Sequence, residues 1–247
     1  MDQTMMDRVV LITGAGSGLG RATSREIAGA GAHVLVSDVD ERAAKETVAL
    51  VESDGGSAEA MLLDITDSAA VTELIAEAGA RYGENFDCLI NNAGTDRGSD
   101  LPEIVDDEWH HVFAVNVDGP MFTSRAFVQH VLGRSGQHHL SDIVNVGSIS
   151  AVTVGSGSAA YNASKAALLK LTEIMQCEAR EREWPVRVTA LQPAAMRTPM
   201  MDQWHLPENR MMPPEVVARV IHSMVTLPPQ VVMQQATITM RNEYFPR

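Results

Sequence analysis

Tyr161 and Lys165 stand four residues apart in the run YNASK, just downstream of the glycine- and serine-rich GSGSAA. If that run opens a helix, both side chains leave the same face. A free phenol titrates near pH ~10, too high for a useful base at neutral pH, and a neighbouring ammonium favours the phenolate. The pair is suited to taking or giving a hydroxyl proton near the working pH. Taken singly, Tyr161 also reads as a half-buried aromatic, Ser148 as a strand-end turn residue and Asn116 as an ordinary polar helix residue. Their chemistry depends on their surroundings.

A second constellation lies far upstream. The run TGAGSGLG, Thr13 to Gly20, follows the apolar RVVLIT and leads into a helical pattern. A pyrophosphate needs exposed backbone N–H groups, a close approach and a helix N-terminus aimed at it. Gly14, Gly18 and Gly20 supply the tight turn, the close approach and the close helix–strand contact. A glycine triplet alone is more often a turn, but this one is followed by a second strand ending in an acid, Asp38. A carboxylate there accepts hydrogen bonds from ribose hydroxyls and repels a 2′-phosphate, which points to NAD. Arg42 is close in sequence but should point off the next helix.

These residues must be positioned by regular elements. Apolar runs at 8–13, 33–38, 58–64, 86–92, 141–148, 186–193 and 236–241 are rich in Val, Ile and Leu without clean alternation, as in strands buried on both faces. Helix-period segments at 18–30, 40–53, 67–82, 103–133, 159–183 and 213–226 lie between them; Val71, Leu74, Ile75 and Ala78 mark one apolar stripe. The alternation predicts an α/β fold, a Rossmann-type doubly wound sheet of seven mainly parallel strands flanked by helices. No linker or repeat interrupts it, so residues 1–247 read as one domain.

The bulk composition narrows the function classes. A formal net charge of −13 argues against nucleic-acid or anionic-membrane binding, which need clustered Lys and Arg. No apolar run reaches the ~18 residues of a membrane span. The N-terminus does not read as a signal peptide, and Cys88 and Cys177 read as thiols in a reducing cytoplasm. His110-His111 and His138-His139 suggest a metal only weakly, because adjacent helical histidines point apart and no Cys or Glu cluster accompanies them; they read as solvated surface, and no metal is expected.

Taken together, these motifs resemble the short-chain dehydrogenase/reductase family over nearly the whole chain. The resemblance rests on Thr13 to Gly20, on Asn91 to Gly94, on Asn116 in VFAVNVDGPMF, on Ser148 in IVNVGSIS and on the Tyr161–Lys165 pair thirteen residues later. It implies an NAD-dependent oxidoreductase interconverting a secondary alcohol and a ketone. Tyr161 would be the acid/base, Lys165 would hold the nicotinamide ribose, Ser148 would hold the substrate oxygen and Asn116 would anchor a water leading from Lys165 to solvent. It implies further cofactor contacts from Ser17, Leu19, Asp64 and Ile65, from Asn92, Ala93 and Gly94, and from Pro193, Met196 and Thr198. It also implies a homotetramer or homodimer built on helices 103–133 and 159–183. An NADPH-type 3-oxoacyl (carrier-linked) reductase and a non-catalytic nucleotide sensor are the alternatives.

Two departures stand out. Where the family usually has Pro-Gly, this chain has Pro193-Ala194, and alanine lacks glycine's freedom at positive φ, so the turn at 195–198 is expected to differ locally. The segment 200–212, a short lid, offers Met200, Met201, Trp204 and Leu206 as apolar lining. The tail, QQATITMRNEYFPR, is expected to place a strand at the sheet edge.

Overall fold

The structure, a computed structural model, describes residues 4–134 and 140–241. His138-His139 and the last residues of the tail therefore lie outside the described part. The strands are β1 (Val9–Thr13), β2 (His33–Asp38), β3 (Ser57–Leu62), β4 (Phe86–Asn91), β5 (Ser141–Val146), β6 (Val186–Pro193) and β7 (Gln235–Ile238). The helices are α1 (Gly18–Gly29), α2 (Glu41–Ser53), α3 (Ser68–Tyr82), α4 (Asp106–Phe113), α5 (Gly119–Leu132), α6 (Ala159–Glu181) and α7 (Pro214–Val225). The described residues build one seven-stranded sheet in the order β3-β2-β1-β4-β5-β6-β7. Every pairing in it is parallel, β7 included.

The missing alternation in the strand sequences has its cause in the two apolar layers. Along β1, Val10 and Ile12 pack into one layer with α1 and α7 residues such as Ile27 and Ile221. Val9 and Leu11 point into the other, with Val71, Ile75 and Phe127 from α3 and α5. A strand buried on both faces has no solvent side to mark with polar residues. Helix starts are set locally: Asp40 accepts from Ala43 N at the start of α2, and Asp67 accepts from Ala69 N and Ala70 N at the start of α3.

One expected element is divided. The predicted helix 103–133 is α4, a π-helical turn over Ala114–Asp118, and α5. Asn116 sits in that turn, fully buried. Strand β5 is also shorter than predicted, ending at Val146, so Gly147 and Ser148 emerge beyond the sheet.

At the opposite end of the strands a charge cluster ties the layers together. Arg8 binds both carboxylate oxygens of Asp87 at 2.9 Å and reaches Asp142 at 2.8 Å. Arg187 donates to the other oxygen of Asp142 at 2.6 Å and to the carbonyls of Leu227, Pro228 and Val231. This network anchors the connection from α7 to β7.

Candidate active site

The chain leaves β1 toward β2 on one side and returns through β4 on the other, so a crevice opens at the carboxyl ends of β1 and β4, the usual ligand position in such sheets. A cleft of about 500 Å3 occupies it.

The glycine loop forms one wall and is held from below by the Asn91 to Gly94 segment. Thr13 Oγ1 accepts from Asn92 N and Ala93 N, each at 3.1 Å. The Asn92 side chain donates to the carbonyls of Thr13 and Gly14 at 2.9 and 3.0 Å. Asn92 lines the cleft, yet its amide is spent on bracing the loop. Gly14 has φ +61, and a Cβ there would lie 2.7 Å from Ala93 Cα. Gly20 meets Gly14 O at 2.3 Å by the same test, so it packs beneath the loop and does not line the cleft. Gly18, at φ +51, leaves just enough room for Thr198. Ser17, Gly18 and Leu19 line the cleft at the start of α1, which carries no side-chain cap. A cradle that any Cβ would fill, at an uncapped helix start, fits a dinucleotide pyrophosphate.

Asp38 closes the far end. Its Oδ2 accepts from Gly16 N at 2.8 Å and its Oδ1 from Asp40 N at 3.0 Å. Arg42 is turned away, largely exposed and paired with Glu46 at 2.9 Å. Asp64 lies just past β3, where its Oδ1 accepts from the Thr66 amide and hydroxyl. Asp64 and Ile65 line the cleft, and so does His111 of α4, which is thereby placed on the cleft wall.

The reacting end is built by β5, α6 and the π turn. Tyr161 and Lys165 share a face of α6, as the spacing requires, and both line the cleft. Lys165 donates to Val146 O at 3.0 Å and lies over the phenol ring, 5.6 Å from its centroid. Burial pushes the Tyr161 phenol up to about 12, against a hydrogen bond with Ser148 that pulls it down. Burial also pushes Lys165 down to about 8, against the attraction of Asp96. The expected lowering of the phenol by Lys165 is therefore absent from this arrangement: the ammonium faces the ring, and desolvation outweighs it. Ser148 is fixed by Gln192, whose Oε1 accepts from Ser148 N at 2.7 Å.

Asn116 has its side chain committed. Its Oδ1 accepts from Thr95 N at 2.8 Å, and its Nδ2 donates to Thr95 O at 2.9 Å and Ser164 Oγ at 3.0 Å. Asn116 therefore locks the loop after β4 to α6.

The Pro193-Ala194 departure is harmless. Ala194 is not among the described residues with positive φ, and its N–H donates to Ile238 O at 2.8 Å, extending the β6–β7 ladder. Pro193 belongs to that ladder and does not line the cleft, whereas Met196 and Thr198 do. Met200 also faces the cleft; Met201 and Leu206 line a separate hollow beneath the lid.

Sequence reasoning missed Gln192, Thr95, Asp96 and Ser164. Each acts on a neighbour distant in the chain, so no local pattern could reveal them.

A doubly wound sheet with a glycine loop at its switch point, and a phenol, an ammonium and a hydroxyl beside it, is the architecture of a nicotinamide-dependent oxidoreductase. A family model described as short chain dehydrogenase matches residues 8–209. The chain belongs to the short-chain dehydrogenase family. It is 33% identical over 199 residues to the 2,3-dihydro-2,3-dihydroxybenzoate dehydrogenase of Bacillus subtilis, covering 81% of this chain and 73% of that one. It is 37% identical over 201 residues to the 1-deoxy-11-beta-hydroxypentalenate dehydrogenase of Streptomyces avermitilis, covering 81% and 72%. Among solved structures, a metagenomic short-chain oxidoreductase in complex with NADP superposes with a TM-score of 0.81 at 26% identity, over 95% of this chain and 98% of that one.

Proposed function

We propose that the protein oxidises a secondary alcohol to a ketone, reversibly, with NAD as its cofactor. The observation that carries the reading is the convergence of Tyr161 and Lys165 on one end of the cleft whose other wall is the glycine loop, with Ser148 hydrogen-bonded to the phenol from just behind the lining. The cofactor would lie with its pyrophosphate on Ser17 to Leu19, its adenine end between Asp38, Asp64 and Ile65, and its nicotinamide end against Ala93, Gly94, Met196 and Thr198. A bound NAD would supply the hydride acceptor for the alcohol carbon. Tyr161 takes the hydroxyl proton, and Ser148 holds the same oxygen as its charge develops. Lys165 would hold the ribose, and its ammonium would release a proton towards solvent as it receives one from the phenol side. Asn116 keeps the loop after β4 against α6, so these groups stay aligned.

NAD is favoured over NADP because the Asp38 carboxylate is pinned where a 2′-phosphate would lie and Arg42 faces away. The NADP held by the metagenomic relative supports the second reading, an NADPH-linked ketone reductase. The substrate is a small alcohol or ketone. The setting is the cytoplasm, in a homotetramer or homodimer; exposed Ile174 on α6 and the Trp109–Phe113 stack on α4 support contacts there.

The test is reduced-nicotinamide formation from NAD, and separately NADP, with a panel of cyclic diols, polyols, steroids, hydroxy acids and hydroxy-amino acids. Turnover with NAD that vanishes in Tyr161→Phe, while NADH binding survives, supports the reading. Full activity in Tyr161→Phe would remove the phenol from the reaction, and NADP-only turnover would favour the reductase.

A further inference from the structure

Asp96, in the loop after β4, is a buried carboxylate beside the reacting groups, 6% exposed. Its Oδ1 accepts from Ser158 Oγ at 3.1 Å, three residues before Tyr161. Its Oδ2 accepts from the indole Nε1 of Trp204, at the end of the lid's first turn, also at 3.1 Å. The indole lies flush on the same loop, since a Cβ on Gly98 would stand 2.8 Å from Trp204 Cη2. Ser99 completes the join by donating its N–H to Gly157 O at 2.9 Å. One side chain thus links three separate segments: the loop after β4, the entry to the catalytic helix and the lid.

We propose that Asp96 is a positioning residue that latches the lid through Trp204 to the catalytic wall and supplies the negative charge facing Lys165. This rests on the reading of Tyr161 and Lys165 as the proton-transfer pair. Of the other titratable groups lining the cleft, His111 comes from α4, Asp38 from β2 and Asp64 from the end of β3; Asp96 stands behind the lining, in the loop that starts at Gly94, where a Cβ would lie 3.3 Å from Lys165 Nζ. Asp96 alone is among the charges that hold both pair members up in pKa. Its own carboxyl is raised by burial, against the hydrogen bonds from Ser158 and Trp204. The lid and the charge behind the catalytic pair are therefore joined at one carboxylate.

The experiment compares pH profiles of kcat/KM for alcohol oxidation. Asp96→Asn removes the charge that disfavours the phenolate, so its acid limb should move to lower pH by about half a unit or more. Asp96→Glu keeps the charge and should keep the wild-type profile. Trp204→Phe should keep the profile, raise KM several-fold and speed amide hydrogen exchange across 199–204. An Asp96→Asn profile superimposable on wild type overturns the charge role, and unchanged exchange in Trp204→Phe overturns the latch; either result overturns the proposal as stated. If Asp96→Asn does not fold, the Asp96→Glu profile and the Trp204→Phe exchange decide it. Tyr161→Phe runs alongside: activity retained there overturns the base assignment itself, whereas an unshifted Asp96→Asn beside an inactive Tyr161→Phe overturns the charge role of Asp96 alone.

Discussion

At Lys165 the protein holds a charge it disfavours. The ammonium is almost wholly buried, with Val146 O as its hydrogen-bond partner, and burial lowers it from 10.5 to about 8. In the unfolded chain the same lysine stays protonated to higher pH, so the folded state releases a proton first. Below pH 8 the ammonium therefore costs stability, and the cost fades as pH rises from about 8 towards 10.5. Lys165→Met should lose turnover yet melt roughly 2–6 °C above wild type near pH 7, at about 2–4 °C per kcal/mol. That advantage should shrink toward pH 10; calorimetry at both pH values checks it. A variant that melts lower at pH 7 would mean that Lys165 stabilises the fold. The chemistry of this pair was legible in five residues of sequence. The direction of its pKa values was not, because burial arises only when α6 packs on β6 and the turn that follows β5.

At the scale of elements, β2 and the glycine loop act as one piece, since the Asp38 carboxylate receives the Gly16 amide from across the loop. Asp38→Ala should thus do two things. It should lower the ratio of kcat/KM with NAD to that with NADP by at least about tenfold, roughly 1.4 kcal/mol. It should also raise KM for both cofactors as the loop loosens. Steady-state kinetics with the two cofactors reads both, and an unchanged ratio would separate Asp38 from the ribose. The loop, its strand and its helix were readable from TGAGSGLG because a tight turn with positive φ and a close backbone neighbour strongly favours glycine. The π turn at Ala114–Asp118 was not. Lengthening the hydrogen-bond step by one residue leaves the apolar periodicity of 103–133 almost intact.

In the whole molecule the cleft stands at one end of the sheet and the Arg8–Asp87–Asp142–Arg187 cluster at the other. Asp142 receives both arginines while almost wholly buried. Removing it leaves the buried Arg187 with no carboxylate partner among the described residues, and Arg8 with Asp87 alone. Asp142→Ala should lose about 3–5 kcal/mol of stability and leave KM nearly unchanged, since the cluster is remote from the cleft. Denaturant melts and kinetics on one preparation check both; an unchanged midpoint would make the network ornamental.

What the sequence determined by itself were the features written in local rules. These are the βα alternation, the glycine loop and the i, i+4 placement of Tyr161 and Lys165, together with the acid closing β2. Backbone geometry over a few residues suffices for each. Tertiary structure alone decided that Asn92 braces Gly14, that Gln192 holds Ser148, that Ala194 needs no positive φ and that Asp96 meets Trp204. Those contacts join residues from 44 to 108 positions apart, except at Ala194, where the β7 ladder sets the conformation. The parallel sheet creates such neighbours by bringing the ends of distant strands together, and no local pattern in the chain records them.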